Sequence, residues 1–300
     1  MDIIVLGAAA GGGFPQWNSN AQGCRRARSG DPAAPVRTQA SVAVSRDGER
    51  WFLLNASPDL RQQINETRAL DPRHGLRHSP IAGVVLTGGD VDVIAGLLTL
   101  RERQALTVHA TQRIHAVLDA NPIFEVLARD VVMRSVEALE TPFVLEEGLN
   151  ARFFAVPGKV PLYLESGSEP PQMLVDDTTV GLEIVEGTSR MLFIPSCAAM
   201  TPALRDWLQG ADIVFFDGTL WRDDEMVVAG IGQKTGKRMG HMSLSGPEGT
   251  ITAFRSIQVG RKVIVHMNNS NPVLLADSPE RAEAEAAGWT IADDGMAFTI

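Results

Sequence analysis

Residues 83–102, GVVLTGGDVDVIAGLLTLRE, carry the pattern around which the rest of the chain is organised. Val84, Val85 and Leu86 form a short apolar run with β-branched residues, the composition of a strand in a sheet. Gly88 and Gly89 break that run, Asp90 and Asp92 follow one residue apart, and the apolar residues of 94–100 suit a helix. Strand, acidic loop and helix in that order put the loop at the carboxyl edge of a sheet, where polar side chains converge without being buried unpaired. Two carboxylates this close repel each other unless a cation or a retained proton neutralises one. The pair therefore reads either as a metal-binding element or as a helix cap, Asp90, followed by a solvent-facing Asp92.

Two later runs repeat the arrangement. Residues 213–216, IVFF, are continuously apolar, as expected of a strand covered on both faces, and they end in Asp217-Gly218-Thr219. Residues 261–265 form another such strand and deliver His266, with Asn268, Asn269 and Asn271 just behind it. Aspartate and histidine are hard or borderline donors suited to iron, manganese or zinc. Upstream, the strand at 51–55 empties into Asn55 and Ser57, which offer ligand contacts, although Ser57 or Asp59 as a cap for the helix at 60–69 is the commoner role. A glycine-rich basic stretch, 230–240, ends at His241.

The remaining elements surround these strand ends. Residues 1–6 read as a strand running into the loop 7–13, almost devoid of side chains, which lets backbone approach a ligand or another loop closely. The G-x-G-x-x-G order is missing there, and Phe14-Pro15 stands where a helix would begin, so a dinucleotide-binding turn is rejected. Residues 16–35 read as a surface loop, and Asp47-Gly48 between 41–44 and 51–55 as a hairpin turn. Strands are expected at 106–110, 143–145, 151–156, 180–185, 190–194, 289–292 and 297–300, and helices at 113–119, 121–134, 202–208 and 279–287. Four prolines in 157–172 make that stretch a loop and a candidate lid. His109 and His115 read as surface or packing residues, and Cys197 as a buried thiol after a strand. The sum is an α/β chain, two sheets packed face to face with helices outside and a site where strand ends meet.

Composition bounds the partners. With 44% hydrophobic and 21% charged residues, 300 residues can bury a large core, in one large domain or two small ones. A formal net charge of −9 and a pI near 5.2 argue against nucleic acid or an anionic membrane surface, and Arg25-Arg26-Ala27-Arg28 is too short a basic cluster to reverse that. No apolar run reaches the roughly 18 residues of a membrane span, and no basic region precedes the apolar start, so a cytoplasmic protein is expected. Two cysteines fit a reducing compartment.

The stretches GAAAGGGFPQWN, RTQAS, LLNASPD, LTGGDVDVIAGLLTLRE, DGTLWRDDEM, MGHMSLSG and HMNNSNPVL, spread over residues 7–275, resemble the pyrroloquinoline quinone (PQQ) biosynthesis protein B family, a branch of the metallo-β-lactamase fold. The resemblance covers essentially the whole chain. It implies a single αββα sandwich over 1–300, two mixed sheets face to face with helices outside. It also implies a part in making PQQ from a peptide precursor, by metal-dependent hydroxylation of a tyrosine-derived intermediate or by transport of PQQ or its precursor. The fold's H-x-H-x-D-H motif falls on Gly88, Asp90, Asp92 and Val93, so the Asp-His pair usual in the branch is broken at Val93. Asp217 matches the fold's bridging acid. Where the family carries a C-x-C-x-x-C structural zinc motif this chain has Ser19, Ala21 and Cys24, so that zinc is expected to be absent.

Two functions follow. In the first, Asp92, Asp217 and His266, with help from Asp90 or His241, hold one iron or zinc ion, with Asp92 and His266 at the centre of the chemistry. Asn55, Ser57, His241, Asn268, Asn269 and Asn271 then orient a small PQQ precursor. In the second, the pocket has outlived its metal and serves as a binder or carrier. A homodimer stays open in both.

Overall fold

The structure is a computed structural model and describes residues 1–165 and 173–300. β1 (Asp2–Gly7) is followed by β2 (Ser41–Ser45) and β3 (Trp51–Leu54), a fully buried antiparallel pair. The Asp47-Gly48 signal is realised between them: Asp47 Oδ1 accepts the amides of Glu49 at 2.8 Å and Arg50 at 3.0 Å, and Gly48 takes the left-handed φ of +73°. β4 (Ile81–Val85), β5 (Leu106–Ala110) and β6 (Val132–Val136) then add in parallel beyond β3.

β7 (Phe143–Glu146), β8 (Leu149–Ala155), β9 (Val180–Glu186) and β10 (Ser189–Ile194) form an antiparallel run in the second sheet. β11 (Ala211–Asp217), β12 (Val259–Val265) and β13 (Trp289–Ile291) continue it in parallel, and β14 (Ala297–Thr299) returns to the first sheet beside β1. Among the described residues each sheet has seven strands and is mixed. The sheets face each other: Phe215 of β11 meets Phe298 of β14 edge-on at 5.6 Å, and Phe143 of β7 stacks on His109 of β5 at 5.3 Å. Phe153, Phe193 and Phe215 fill the interior on one side, Ile3, Val5 and Leu54 on the other.

Helices cover the outside, and several of them start at a side-chain cap. Thr111, Thr201 and Ser278 each accept an amide from the first turn of the helices Gln112–Asp119, Pro202–Leu208 and Pro279–Ala286. Among the described residues no helix is long and apolar enough to cross a membrane.

Three expectations are corrected. The helix expected at 121–134 is a 3-10 turn, Pro122–Val126, followed by β6. The β-branched residues Val132 and Val136 pair with β5 instead, and two histidines hold the strand in place, His115 Nε2 against Ser135 O and His109 Nδ1 against Glu137, both at 2.8 Å. The loop expected at 16–35 contains the helix Gln22–Arg28, which forms because Cys24 and Ala27, three apart, bury one face. The helix expected at 94–100 is one turn, Val91–Ile94, tightening into a 3-10 stretch, Ala95–Leu100. Of the candidate lid, 166–172 lies outside the described residues; Gly158 bridges Leu174, and Lys159 and Leu162 reach the cavity described next.

Candidate metal and substrate site

Carboxyl ends of strands from both sheets meet at one end of the sandwich. β3 delivers Asn55, β4 leads to Asp90 and Asp92, β11 ends on Asp217 and β12 delivers His266. The side chains of Asn55, Asp90, Asp92, His241, His266 and Asn268 line a cavity of about 350 Å³. Asn55 and His266 hold φ values of +64° and +57°, a conformation sparse for residues with a Cβ and frequent at functional sites. Asn55 has a local reason: its Oδ1 accepts both the amide (2.9 Å) and the hydroxyl (3.1 Å) of Thr87, tying the end of β3 to the end of β4.

The Asn55 loop and the acidic loop are further locked by Ala56 N to Val93 O and Gly96 N to Ala56 O, both 2.8 Å. A Cβ on Gly96 would stand 2.1 Å from Ser57 O, a backbone atom that cannot swing aside. Gly96→Ala is expected to cost about 1–3 kcal/mol by forcing the two loops apart, read as a lower urea midpoint. An unchanged midpoint would refute that packing argument.

His266 Nε2 lies 2.9 Å from Asp92 Oδ2, and His241 Nδ1 lies 2.6 Å from Asp217 Oδ2. The two rings are stacked, centroids 5.3 Å apart at 24°. Thr219 sits between them, its Oγ1 2.7 Å from Asp217 Oδ1, 2.9 Å from His266 Nδ1 and 3.1 Å from His241 Nδ1. The site is electrostatically loaded. Burial and then the charge of Asp92 push the Asp90 carboxyl up. Burial would raise Asp92 and Asp217 too, but His266 beside the first, and His241 and His266 beside the second, hold both below the ordinary carboxylate range. Burial would lower His266, yet the carboxylates of Asp217 and Asp92 push it up to about 10.

That distribution suits a cation. Two acids border one cavity, one held ionised and the other driven towards its neutral form by burial and then by the first, so a positive ion between them would relieve their repulsion. Ligand-capable atoms of Asp217, His241 and His266 also lie within 4.8 Å of one another.

The expected site residues divide. Asp90, Asp92, His241, His266, Asn55 and Asn268 line the cavity. Asp217 lies beneath it, fully buried. Ser57 is turned inward, its Oγ donating to Gln63 Oε1 at 3.0 Å, and neither it nor Asp59 caps the helix Leu60–Glu66 through a side chain. Asp59 accepts the Gln39 amide instead, at 2.9 Å. Asn271 is spent on structure, donating to Gly218 O at 2.7 Å and accepting from Val273 N at 3.1 Å. Asn269 donates to Gln16 Oε1 at 2.6 Å in a neighbouring recess. Cys197 is a buried thiol, as expected, and burial and then the Asp217 charge push its pKa up. Thr219, Thr87, Lys159 and Lys234 also line or brace the site and were not foreseen. Thr219 had a signal, since a hydroxyl two residues after an acid that closes a buried strand can fold back onto that acid.

Residues 50–267 match the β-lactamase superfamily domain, and a TM-score of 0.98 over all of both chains relates the fold to the crystal structure of zinc-bound PqqB from Methylobacterium extorquens, at 51% identity. The class is thus the metallo-β-lactamase fold, two facing mixed sheets with the site at the strand ends. Within it, the coenzyme PQQ synthesis protein B of Gluconacetobacter diazotrophicus is 62% identical over 100% of this chain and 99% of its own length. That of Xanthomonas euvesicatoria pv. vesicatoria is 56% identical over the full length of both. The chain belongs to the coenzyme PQQ synthesis protein B family.

Proposed function

We propose that this chain acts in the biosynthesis of pyrroloquinoline quinone, using one metal ion to hydroxylate a small tyrosine-derived precursor with dioxygen, one oxygen atom entering the precursor and the other leaving as water at the expense of an external two-electron reductant. The observation that carries this reading is the convergence of Asp92 and His266, from different sheets, in a cavity of about 350 Å³ large enough for a small ligand. Asp92 and His266 would hold the ion, with Asp90 and His241 beside them. The chemistry such an ion supplies when bound is redox if it is iron and Lewis-acid polarisation if it is zinc. Around it, Asn55 and Asn268 orient polar groups of the precursor, and Lys159 and Lys234 set the charge of the mouth. Leu162 and Met226 give the mouth an apolar lining that limits water.

Val93 favours a second reading, a metal-free binder or carrier, because it occupies a cavity-lining position where an imidazole would add a ligand. Anaerobic reconstitution with ferrous iron or zinc separates the two. The expected result is about one ion per chain in the native protein, tighter binding in Val93→His, and oxygen uptake by the iron form on adding the precursor together with a two-electron reductant. No tight binding in the native protein, with binding appearing only in Val93→His, would establish the carrier reading instead.

A further inference from the structure

Asp217 is the one expected metal ligand that does not face the cavity. Its carboxylate is fully buried and both oxygens are fully engaged. Oδ1 accepts the Thr219 amide at 3.0 Å and the Thr219 hydroxyl at 2.7 Å. Oδ2 accepts the Cys197 amide at 2.9 Å and His241 Nδ1 at 2.6 Å. A carboxylate offers about four acceptor positions, and here all are taken. Turning one towards an ion would strand a buried amide without its acceptor.

The same bonds dictate where the imidazole protons sit. Thr219 Oγ1 has a single proton, and the ionised Asp217 Oδ1 is its strongest acceptor. Towards the rings the hydroxyl can only accept, so His266 Nδ1, at 2.9 Å, must carry a hydrogen. His241 Nδ1 must carry one too, since it faces a carboxylate oxygen at 2.6 Å. Nε2 of His266 is left facing Asp92, and Nε2 of His241, which makes no hydrogen bond among the described residues, is left to the cavity.

We infer that Asp217 is a positioning residue and not a metal ligand, and that with Thr219 it holds both imidazoles with Nδ1 protonated so that Nε2 of each is presented to the ion. This rests on the proposed metal site. An aspartate of this kind orients a ligand and raises its basicity from behind, and its loss weakens a site without emptying it.

The test uses the whole protein labelled with ¹⁵N in its imidazoles, observed with and without zinc by long-range ¹H–¹⁵N correlation and assigned with His241→Gln and His266→Ala. Nδ1 protonated on both rings in both states, with the zinc-induced shifts confined to Nε2, is expected. Zinc on Nδ1 of either ring, or a bare Nδ1, would overturn the inference. Alongside, Thr219→Val and Asp217→Asn should keep the native zinc stoichiometry with affinity weakened roughly 10–100-fold. A folded Asp217→Asn protein that takes up no zinc would show that Asp217 is a ligand after all. If Asp217→Asn does not fold, Thr219→Val and the native spectra still decide. If the native protein takes up no zinc, the proposed function loses its metal, while the metal-free spectra continue to judge the orientation of the rings.

Discussion

His266→Ala is expected to reduce metal uptake by more than the roughly 10–100-fold that loss of an outer partner costs, bringing it to nothing measurable at micromolar metal. His266 supplies the imidazole nitrogen that faces Asp92, at 2.9 Å, and its removal leaves the carboxylate pair with His241 alone as an imidazole donor. The variant should still fold, because the ring sits at a strand end beside a cavity and not inside the sheet interface. Metal titration by calorimetry, with circular dichroism as the folding control, checks this. Undiminished zinc binding by a folded His266→Ala protein would place the ion elsewhere and sink the proposed site.

Arg37→Ala is expected to destabilise the fold by about 3–5 kcal/mol, from the cavity left by a large buried side chain and from buried carbonyls that lose their donor. Among the described residues Arg37 is the largest fully buried side chain. Its Nε donates to Ala292 O at 3.0 Å and its Nη1 to Pro35 O and Leu274 O, both at 3.1 Å, while Nη2 pairs with Asp293. Its own amide and carbonyl pair with Phe14. One guanidinium thus fastens the turn after β13, the segment behind the Asn268–Asn271 loop and the approach to β2. Urea unfolding followed by fluorescence reads the loss. A cost below about 1 kcal/mol would mean that the carbonyls find other donors and that the residue is not structural.

Neither the role of Arg37 nor that of Asp217 could be read locally. Arg37 lies in a five-residue stretch, RTQAS, with no periodicity and no charged neighbour, and its acceptors stand up to 255 residues away. The acidic loop was legible because its information is local: an apolar run, two glycines and two acids specify strand, break and loop whatever surrounds them. The same local logic misread 121–134, where helical spacing gave way to pairing with β5, and 16–35, where a seven-residue helix is held by contacts its own sequence barely signals. In that helix Arg25 and Arg28 bond back to the carbonyls of Asn20 and Ser19 and so brace the turn where the family resemblance had led to the absence of a zinc.

What the sequence by itself determined is the class of fold and the strand ends at which chemistry gathers. Continuous apolar runs must be buried on both faces, and the polar residues that close them must then stand at the sheet edge. Only the tertiary structure decided which of those residues share one cavity. Asp92 and His266 are 174 positions apart and meet because the two sheets that carry them face each other. The same packing withdrew Ser57 and Asn271 into structural hydrogen bonds and set Thr219 between two imidazoles. A side chain's residue type is local, but the number of partners competing for its lone pairs is a property of the folded neighbourhood, and that competition separates the groups left facing the cavity from those that hold them in place.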